Sequence, residues 1–417
     1  MKPDSFGSSP NHPARTSRRA LIPKSLFLTW RSAYALGVLP FLLSWLHATN
    51  DLFGAFLTPL LPKLQAAFGV SYGAVSLLVA LQSLTGSLLQ PLAGLVADRY
   101  DRRVLAALGP LLMALGGGLL GFFPNLWVAG VVLALSGLGS ALFHSAGAAL
   151  VGQYADPARR GFWMSFFGTG GYIGLSLGPI VSLTAVNQGG LQTLAWFIPL
   201  ALIPAFLLLR QAPPARLQTR PSSFRDLARV FRGHVARLWA VSTLRSIVFM
   251  SFSTTIPFWF HQRGISDAQV ALTLSVYSIS ATVGAFLGGT LSDRLGRRNV
   301  LVGTMIFAIP LYVALLLVPP ENWFYVLLLA ATGALMNAGV PVAVTMAQEH
   351  EPSQMATVSG LLMGFTWGFA GLLYGVVGPI IERYGVLESL SVLGLLLVPA
   401  LTLSLAVREA QPRPRAA

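Results

Sequence analysis

The sequence carries little charge and no cysteine. Only 10% of its 417 residues are charged and 54% are hydrophobic, whereas soluble domains average about 25% charged residues. This composition excludes an ordinary soluble protein and predicts that most of the chain is embedded in lipid. The absence of cysteine excludes disulfides, thiolate chemistry and cysteine-ligated metal sites. We therefore expect no cofactor and no metal site.

Two compositional excesses have a physical explanation in the membrane. The 42 glycines and 27 prolines are too many for ordinary soluble helices, but membrane helices use them for close packing and bending. The net charge of +14 does not indicate nucleic-acid binding, because lysine and arginine lie between apolar runs and form no basic stripe interleaved with aromatic residues. The positive charge indicates membrane topology instead.

Apolar runs of about 20 residues, long enough to cross a bilayer, recur twelve times in the sequence. They lie near residues 34–61, 73–97, 104–123, 125–151, 161–186, 191–209, 237–260, 268–291, 300–318, 323–347, 356–381 and 387–407. With a cytoplasmic N-terminus, nearly all lysines and arginines fall on the cytoplasmic side. Lys63, Arg263 and Arg383 fall outside, and Arg245 lies within a span. This asymmetry predicts that both termini are cytoplasmic.

The chain also contains an internal repeat. The segment 94–103 recurs as 289–298, and Gln153–Pro157 has a counterpart at the same offset in Gln348–Pro352. A duplicated six-span unit is the simplest explanation. We therefore predict an all-α membrane protein with twelve transmembrane helices in two pseudo-symmetric six-helix bundles.

The polar segments set the predicted boundaries. In the linker between the bundles, Phe224, Leu227 and Phe231 share one helical face and predict a short interfacial helix. The predicted units are a cytoplasmic tail at 1–33, the first bundle at 34–209, a cytoplasmic linker at 210–236, the second bundle at 237–407 and a cytoplasmic tail at 408–417.

The repeated segment resembles the signature loop of the major facilitator superfamily. Its pattern, Gly-x-x-x-Asp-Arg-x-Gly-Arg-Arg, stands between spans two and three and again between spans eight and nine. The resemblance covers everything but the tails. It implies a monomeric transporter, not an enzyme, that moves a small-molecule substrate by alternating access, exchanges protons and resides in the bilayer of a bacterial inner membrane.

Three further segments resemble the fosmidomycin-resistance branch of drug efflux proteins within that superfamily. They are 47–51, 139–144 and Gln348-Glu349 followed by 358–360. Two departures stand out. Asp101 replaces the glycine of the first signature loop, and Ser145-Ala146 follow His144 where the branch often has Pro-Glu. The second departure removes a carboxylate from span four, so the branch's substrate and proton roles do not transfer directly.

Ionisable residues within spans indicate where a transport site lies, because each costs about 2.5–3.5 kcal/mol at the centre of a membrane helix. His47, Asn50 and Asp51 in span one are spaced to share one helical face. A buried Asp51 could bind and release a proton as its surroundings change. A structural role, with the carboxylate clamped by Asn50 and a neighbouring helix, is the alternative.

Arg245 lies inside span seven, the repeat counterpart of span one. If the repeat alignment extends there, this arginine faces the acid of the other half across a central cavity. Its planar guanidinium suits carboxylate and phosphate-like oxygens, and the resemblance implies a phosphonate anion. The alternative is that its side chain extends to the cytoplasmic surface.

Other polar residues are weaker candidates. His144 is alone on an apolar stretch of span four, and either a functional role or an interhelical hydrogen bond accounts for it. Gln82, Gln90 and Asn337 either line the cavity or bond neighbouring helices.

The signature loops are predicted to form a cytoplasmic gate. Asp98 and Asp293 each end a span, where a carboxylate can bond an arginine or the positive N-terminus of a neighbouring helix. Anchoring by positive loops explains the arginines but not the repeated aspartate. The predicted gate residues are Asp98, Arg99, Arg102, Arg103, Asp293, Arg294, Arg297, Arg298 and Glu349.

Span five carries a glycine motif that resembles one found in antiporters of the superfamily. Its smooth face predicts that helices of the two halves approach and slide there, although tight packing alone explains it equally well. The motif residues are Gly170, Gly171, Gly174, Gly178 and Pro179.

Together these features predict proton-coupled efflux, an antiport, of a small anionic or polar drug such as fosmidomycin. Proton-coupled import of a small metabolite stays open, because fold and acid placement do not set direction. A membrane-embedded enzyme using His47, Asp51 and His144 is disfavoured, because no nucleophile or nucleotide motif is recognisable.

Overall fold

The computed structural model describes residues 38–70, 72–213 and 224–410. Regular structure in these residues is helical throughout, without a strand. The predicted N-terminal tail, part of the linker and the chain end after residue 410 lie outside the described residues.

The first half consists of six consecutive spans. Span two changes from an α-helix to a π-helical turn and back within its length. The helices of spans one to six are Val38–Gly54 with Leu57–Phe68, Tyr72–Ser83 with Leu84–Leu88 and Gln90–Arg99, Arg102–Gly118, Leu126–Tyr154, Arg160–Gly189, and Pro199–Gln211.

The second half repeats this order after a short helix, Phe224–Val230. Span eleven contains a π-helical turn, Leu361–Phe365. The helices of spans seven to twelve are Gly233–Gln262, Asp267–Leu295, Arg297–Leu317, Trp323–His350, Met355–Gly360 continuing to Thr366–Tyr384, and Val386–Gly394 with Leu397–Leu405.

Length and hydropathy agree with twelve crossings. Nine helices of the described residues are long and apolar enough to cross a membrane, and span two, bent by 48°, makes a tenth. The remaining two, Val38–Gly54 and Arg102–Gly118, have 17 residues each. At 1.5 Å per residue they cover most of a hydrocarbon core of about 30 Å, and Leu57–Phe68 extends the first. The all-α, twelve-span fold is therefore as predicted.

The pseudo-symmetry is visible in the helix caps. Asn125 accepts hydrogen bonds from the backbone N–H groups of Trp127 and Val128 at the start of span four. Its counterpart Asn322 accepts one from Phe324 at the start of span ten. Each cap satisfies donors that the first helical turn leaves unpaired.

The apolar core is continuous at one end of the molecule and divided at the other. One cluster joins buried residues of both halves, including Ala97, Val151, Val344 and Ala356, at the end that carries the signature loops. At the opposite end each half has its own cluster. The two halves are therefore packed together at the arginine-rich end and separate toward the other.

The short helix before span seven lies where the sequence predicts an interfacial helix. Phe231, just after it, packs its ring against Trp239 of span seven at 4.8 Å between centroids. Arg225 and Arg229 are exposed. The side chains of Phe224 and Leu227, predicted on the same face, lie outside the described residues.

Candidate functional site

A cavity of about 370 Å³ lies between the two halves near the middle of the spans. Its polar lining comes mainly from the first half and includes His47, Asp51 and His144. The second half contributes apolar groups such as Pro341 and Trp367. The cavity therefore has one polar wall and one apolar wall.

His47, Asp51 and His144 form a buried cluster on the polar wall, called the imidazole–carboxylate cluster below. Asp51 Oδ2 is 3.4 Å from His47 Nε2, and Asp51 Oδ1 is 3.4 Å from His144 Nε2. The two Nε2 atoms are 3.2 Å apart. Their side chains are 4%, 12% and 13% exposed in chain order, so the charges lie in a largely dehydrated site.

The backbone and neighbouring side chains hold this cluster in place. His47 Nδ1 donates to the carbonyl oxygen of Phe167 at 2.8 Å, and His144 Nδ1 donates to that of Ser140 at 2.8 Å. The Asn50 amide donates to Asp51 Oδ1 and to Ser140 Oγ, both at 2.9 Å. Asn50 thus orients the Asp51 carboxylate. The Phe167 carbonyl of span five orients the His47 imidazole, and the Ser140 carbonyl of span four orients the His144 imidazole.

Metal binding is the other chemistry that such side chains support. The nitrogen and oxygen atoms that they offer lie within 4.8 Å of one another. The expectation of no metal site therefore stays a prediction.

The glycine motif of span five packs against span one of the same half, not against the other half as the sequence predicted. A Cβ on Gly170 would meet Ser44, one on Gly174 would meet Ala48, and one on Gly178 would come within 2.7 Å of the Leu52 carbonyl oxygen. The three contacted residues of span one are four positions apart. They form a ridge along that helix, which fits into the groove left by the glycines of span five. Pro179 lies inside the same helix, which continues to Gly189.

Gly171 has a more specific position in this packing. A Cβ there would stand 2.5 Å from His47 Nε2 and 2.6 Å from Asp51 Oδ2. Only glycine leaves space for these atoms, so part of the antiporter-like motif forms a surface of the imidazole–carboxylate cluster.

Arg245 is buried, with 3% of its surface exposed, and does not extend to the cytoplasmic surface. Its Nη1 donates to the carbonyl oxygen of Met336 in span ten. It is not among the cavity-lining residues, but Tyr172, which is, interacts electrostatically with both Arg245 and Asp51. Arg245 therefore does not line the cavity in this state, but it lies near Tyr172, which does.

The weaker candidates divide between wall and core. Gln82 and Gln90 line the cavity, whereas Asn337 is buried outside it. Gln90 packs against Gly364 of span eleven, so its side chain bridges the two halves. Tyr172 was missed in the sequence, because an isolated tyrosine in a span gives no signal of a functional position.

The first signature loop joins the two halves at the arginine-rich end. Asp98 is buried and pairs with Arg102 at 2.7 Å. It also accepts hydrogen bonds from the backbone N–H groups of Ala356 and Thr357, at 3.1 and 3.0 Å, and from the Thr357 hydroxyl at 2.7 Å. The carboxylate therefore caps the N-terminus of span eleven in the other half.

The second signature loop repeats this arrangement with the halves exchanged. Asp293 pairs with Arg297 and accepts from the backbone N–H groups of Gly161 and Phe162, at 2.9 and 2.8 Å, where span five begins. Glu349 lies 3.4 Å from Arg297 and 3.8 Å from Arg160. Each aspartate thus binds the N-terminus of a helix in the other half, and these two contacts, called the latches below, join the halves at this end.

The remaining loop residues act within their own half or lie exposed. Arg103 pairs with Asp101 and donates to the Ala212 carbonyl, and Arg298 donates to carbonyls at the end of span twelve. Arg99 and Arg294 are exposed. Asp101 caps span three with φ −64°, whereas its counterpart Gly296 has φ +90°, so the departure from the glycine pattern replaces a left-handed turn with a side-chain cap.

Comparison with known proteins agrees with this architecture. The sequence model of the Major Facilitator Superfamily matches residues 43–375. The fosmidomycin resistance protein of Escherichia coli K12 is 27% identical over 369 residues, covering 84% of this chain and 90% of that protein. The probable nitrate/nitrite transporter NarK2 of Mycobacterium tuberculosis is 27% identical over 385 residues, covering 87% and 93%.

Solved structures give the same result for the fold. The E. coli fucose:proton symporter FucP has a TM-score of 0.73 at 15% identity, covering 89% of this chain and 98% of that one. A bacterial homologue of the iron transporter ferroportin, in an outward-facing state, has a TM-score of 0.69 at 14% identity with the same coverage. Sequence identities this low support only a shared fold. The family's sequence model, in contrast, matches most of this chain. With its two latches and central cavity, this chain belongs to the major facilitator superfamily, a family of membrane transporters and not of enzymes.

Proposed function

We propose that this chain is a proton-coupled exporter of a small anionic or polar compound, with fosmidomycin as the first candidate substrate. The observation that carries the proposal is the imidazole–carboxylate cluster on the wall of the central cavity. A cluster of one carboxylate and two imidazoles, within reach of a cavity, can bind a proton in one state of the transporter and release it in another.

Arg245 supports an anionic substrate. Among the described residues, no carboxylate forms an ion pair with it; its ionisable neighbours, Tyr172 and Tyr277, are uncharged at neutral pH, and its hydrogen bond goes to a backbone carbonyl. A buried guanidinium without a carboxylate partner favours an incoming carboxylate or phosphonate. The similarity to the fosmidomycin resistance protein points to the same class of compound.

The described state supports alternating access between two halves. The latches of Asp98 and Asp293 close the arginine-rich end, which we assign to the cytoplasm of a bacterial inner membrane, so the state faces outward. The bundles at 34–209 and 237–407, joined by the linker at 210–236, would rock about the cavity. We propose that both termini are cytoplasmic and that a single chain is sufficient.

Transport into everted membrane vesicles tests the proposal. An acid interior should drive accumulation of fosmidomycin, and Asp51→Asn should abolish this dependence on the pH gradient at neutral pH. Glu388→Gln is the matched control, because Glu388 lies in the first turn of span twelve, away from the cavity. Accumulation driven by the opposite gradient would identify an importer, and accumulation that ignores every pH gradient would refute proton coupling.

A further inference from the structure

The hydrogen bonds of the imidazole–carboxylate cluster fix which nitrogen of each histidine carries hydrogen. His47 Nδ1 is 2.8 Å from the Phe167 carbonyl oxygen, and His144 Nδ1 is 2.8 Å from the Ser140 carbonyl oxygen. A carbonyl oxygen can only accept, so both Nδ1 atoms must be protonated. In a neutral imidazole only one nitrogen carries hydrogen, so each Nε2 atom has a free lone pair and can only accept a hydrogen bond.

These lone pairs converge on one point. The two Nε2 atoms are 3.2 Å apart, and each is 3.4 Å from an oxygen of Asp51. Without a further proton, three acceptors would face one another in a buried site with no donor between them, an arrangement that buried polar groups avoid. One added proton on either Nε2 gives an N–H···N hydrogen bond and a cation beside the carboxylate.

The carboxylate is the poorer place for this proton. Asp51 Oδ1 already accepts a hydrogen bond from the Asn50 amide at 2.9 Å, so a proton on this oxygen would have to compete with an existing donor. A proton on Asp51 would also serve only one of the two imidazoles and leave the other Nε2 without a donor.

We propose that the transported proton is shared by His47 Nε2 and His144 Nε2, while Asp51 stays ionised as its counterion. This inference rests on the proposed function and names the groups that carry its proton. Among the described residues, the other titratable or charged groups in this region are Tyr172 of span five, on the same cavity wall, and Arg245 of span seven, near Tyr172. Neither is an acceptor for the proton in its ordinary charge state at neutral pH.

The arrangement also restricts the substrate. When the proton leaves, the cluster exposes three acceptors and a net negative charge toward the cavity. A substrate can take the proton's place only if it presents an O–H or N–H donor to these atoms. The exported compound therefore carries a hydrogen-bond donor that reaches the cluster. An anion without such a donor would not displace the proton.

Proton release on substrate binding tests the inference. Purified protein in weakly buffered detergent solution, with a pH-indicator dye, should release about one proton per bound fosmidomycin. His144→Gln and His47→Gln should release none at any pH. Asp51→Asn should still release a proton but with a midpoint at lower pH, because the protonated imidazole pair has lost its counterion. His234→Gln, at the start of span seven and outside the cavity, should behave as wild type.

Wild-type protein labelled with ¹⁵N-histidine provides a readout that does not depend on variants folding. With only six histidines in the chain, two should show protonated Nδ1 atoms and share one further proton between their Nε2 atoms. The signals should change when fosmidomycin binds.

Three other results would overturn either the inference or the proposed function. Proton release that persists in His144→Gln but disappears in Asp51→Asn at every pH would place the proton on the carboxylate and overturn the inference, while leaving the proposed function intact. Stoichiometric zinc binding together with chelator-sensitive transport would identify a metal site and also overturn it. Wild-type transport that ignores the pH gradient would instead refute the proposed function itself.

Discussion

Gly171→Ala places one methyl group against the imidazole–carboxylate cluster. The new Cβ would stand 2.5 Å from His47 Nε2 and 2.6 Å from Asp51 Oδ2, whereas atoms in van der Waals contact are about 3.5–4.0 Å apart. The overlap of about 1 Å cannot be relieved freely, because His47 Nδ1 is bonded to the Phe167 carbonyl. The imidazole or span five must therefore move.

The expected magnitude follows from this overlap. Overpacking a buried site by one methyl group costs about 1–3 kcal/mol, and a change of about 1.4 kcal/mol in binding free energy is a factor of ten. If most of this strain falls on the proton-bound cluster, Gly171→Ala should weaken proton binding about tenfold or more. Proton-driven transport at neutral pH should fall by a similar factor, with a modest loss in thermal stability.

Gly303→Ala is the matched control. Gly303 also lies inside a membrane helix, but a Cβ there would meet no atom within 4 Å. Alanine favours a helix over glycine by up to about 1 kcal/mol, so this variant should be as stable as wild type and fully active. Vesicle transport and thermal unfolding of both variants check the prediction. Equal activity of the two alanine variants would show that Gly171 does not pack on the cluster as described.

Substitutions at Asp98, Gly289 and Arg245 test the latches and the arginine. Asp98→Asn removes the charge that caps span eleven, and breaking a buried pair costs about 3–5 kcal/mol. The readout is a cysteine introduced as Ser359→Cys, which is then the only cysteine in the chain. With Asp98→Asn, this cysteine should react faster with a maleimide added at the cytoplasmic side. Asp101→Asn is the control and should leave the rate of this reaction unchanged. Gly289→Ala would place a Cβ 2.6 Å from the Gly161 carbonyl oxygen of the other half and should raise the same rate. Arg245→Gln should raise the half-saturating concentration of fosmidomycin about tenfold or more, with Arg245→Lys less affected; equal constants for all three forms would exclude Arg245 from substrate binding.

The sequence predicts the fold well because lipid imposes strict rules. A span must be apolar and about 20 residues long, and its flanking charges report orientation. Short-range spacing also predicted that His47 and Asp51 share a face, since residues four apart are neighbours on a helix. These inferences need only local distances along the chain.

Contacts between helices were harder to predict. The glycine motif indicated close packing, but no periodicity tells which helix fits against it, and span one was not the expected partner. Likewise, an aspartate at a helix end predicts an interaction with some positive group, yet the cap by Asp98 on span eleven joins residues far apart in sequence. His144 was ambiguous for the same reason, because the two partners of its Nε2 atom, His47 and Asp51, lie on span one.

Span five connects the two features that the proposed mechanism needs. Asp293 of the second half binds the N–H groups of Gly161 and Phe162 at its N-terminus. One to three turns further, the same helix accepts the His47 hydrogen bond at Phe167 and presents Gly171 to the cluster. Opening the arginine-rich end must release the N-terminus of span five, and any tilt of that helix changes the distances at the cluster. Under the proposed function, the position of this one helix would link proton occupancy to closure of the arginine-rich end.

The other latch leads to the cavity in a parallel way. Asp98 holds the start of span eleven, and further along that helix Gly364 packs on Gln90 and Trp367 lines the cavity. The described residues at that contact, Gln90, Gly364 and Trp367, are not ionisable, so we expect release of this latch to change the shape of the cavity without changing its charge. The latches are symmetric while the cavity is not. We therefore expect the two latches to act unequally, because under the proposed function only the one on span five would alter the proton site.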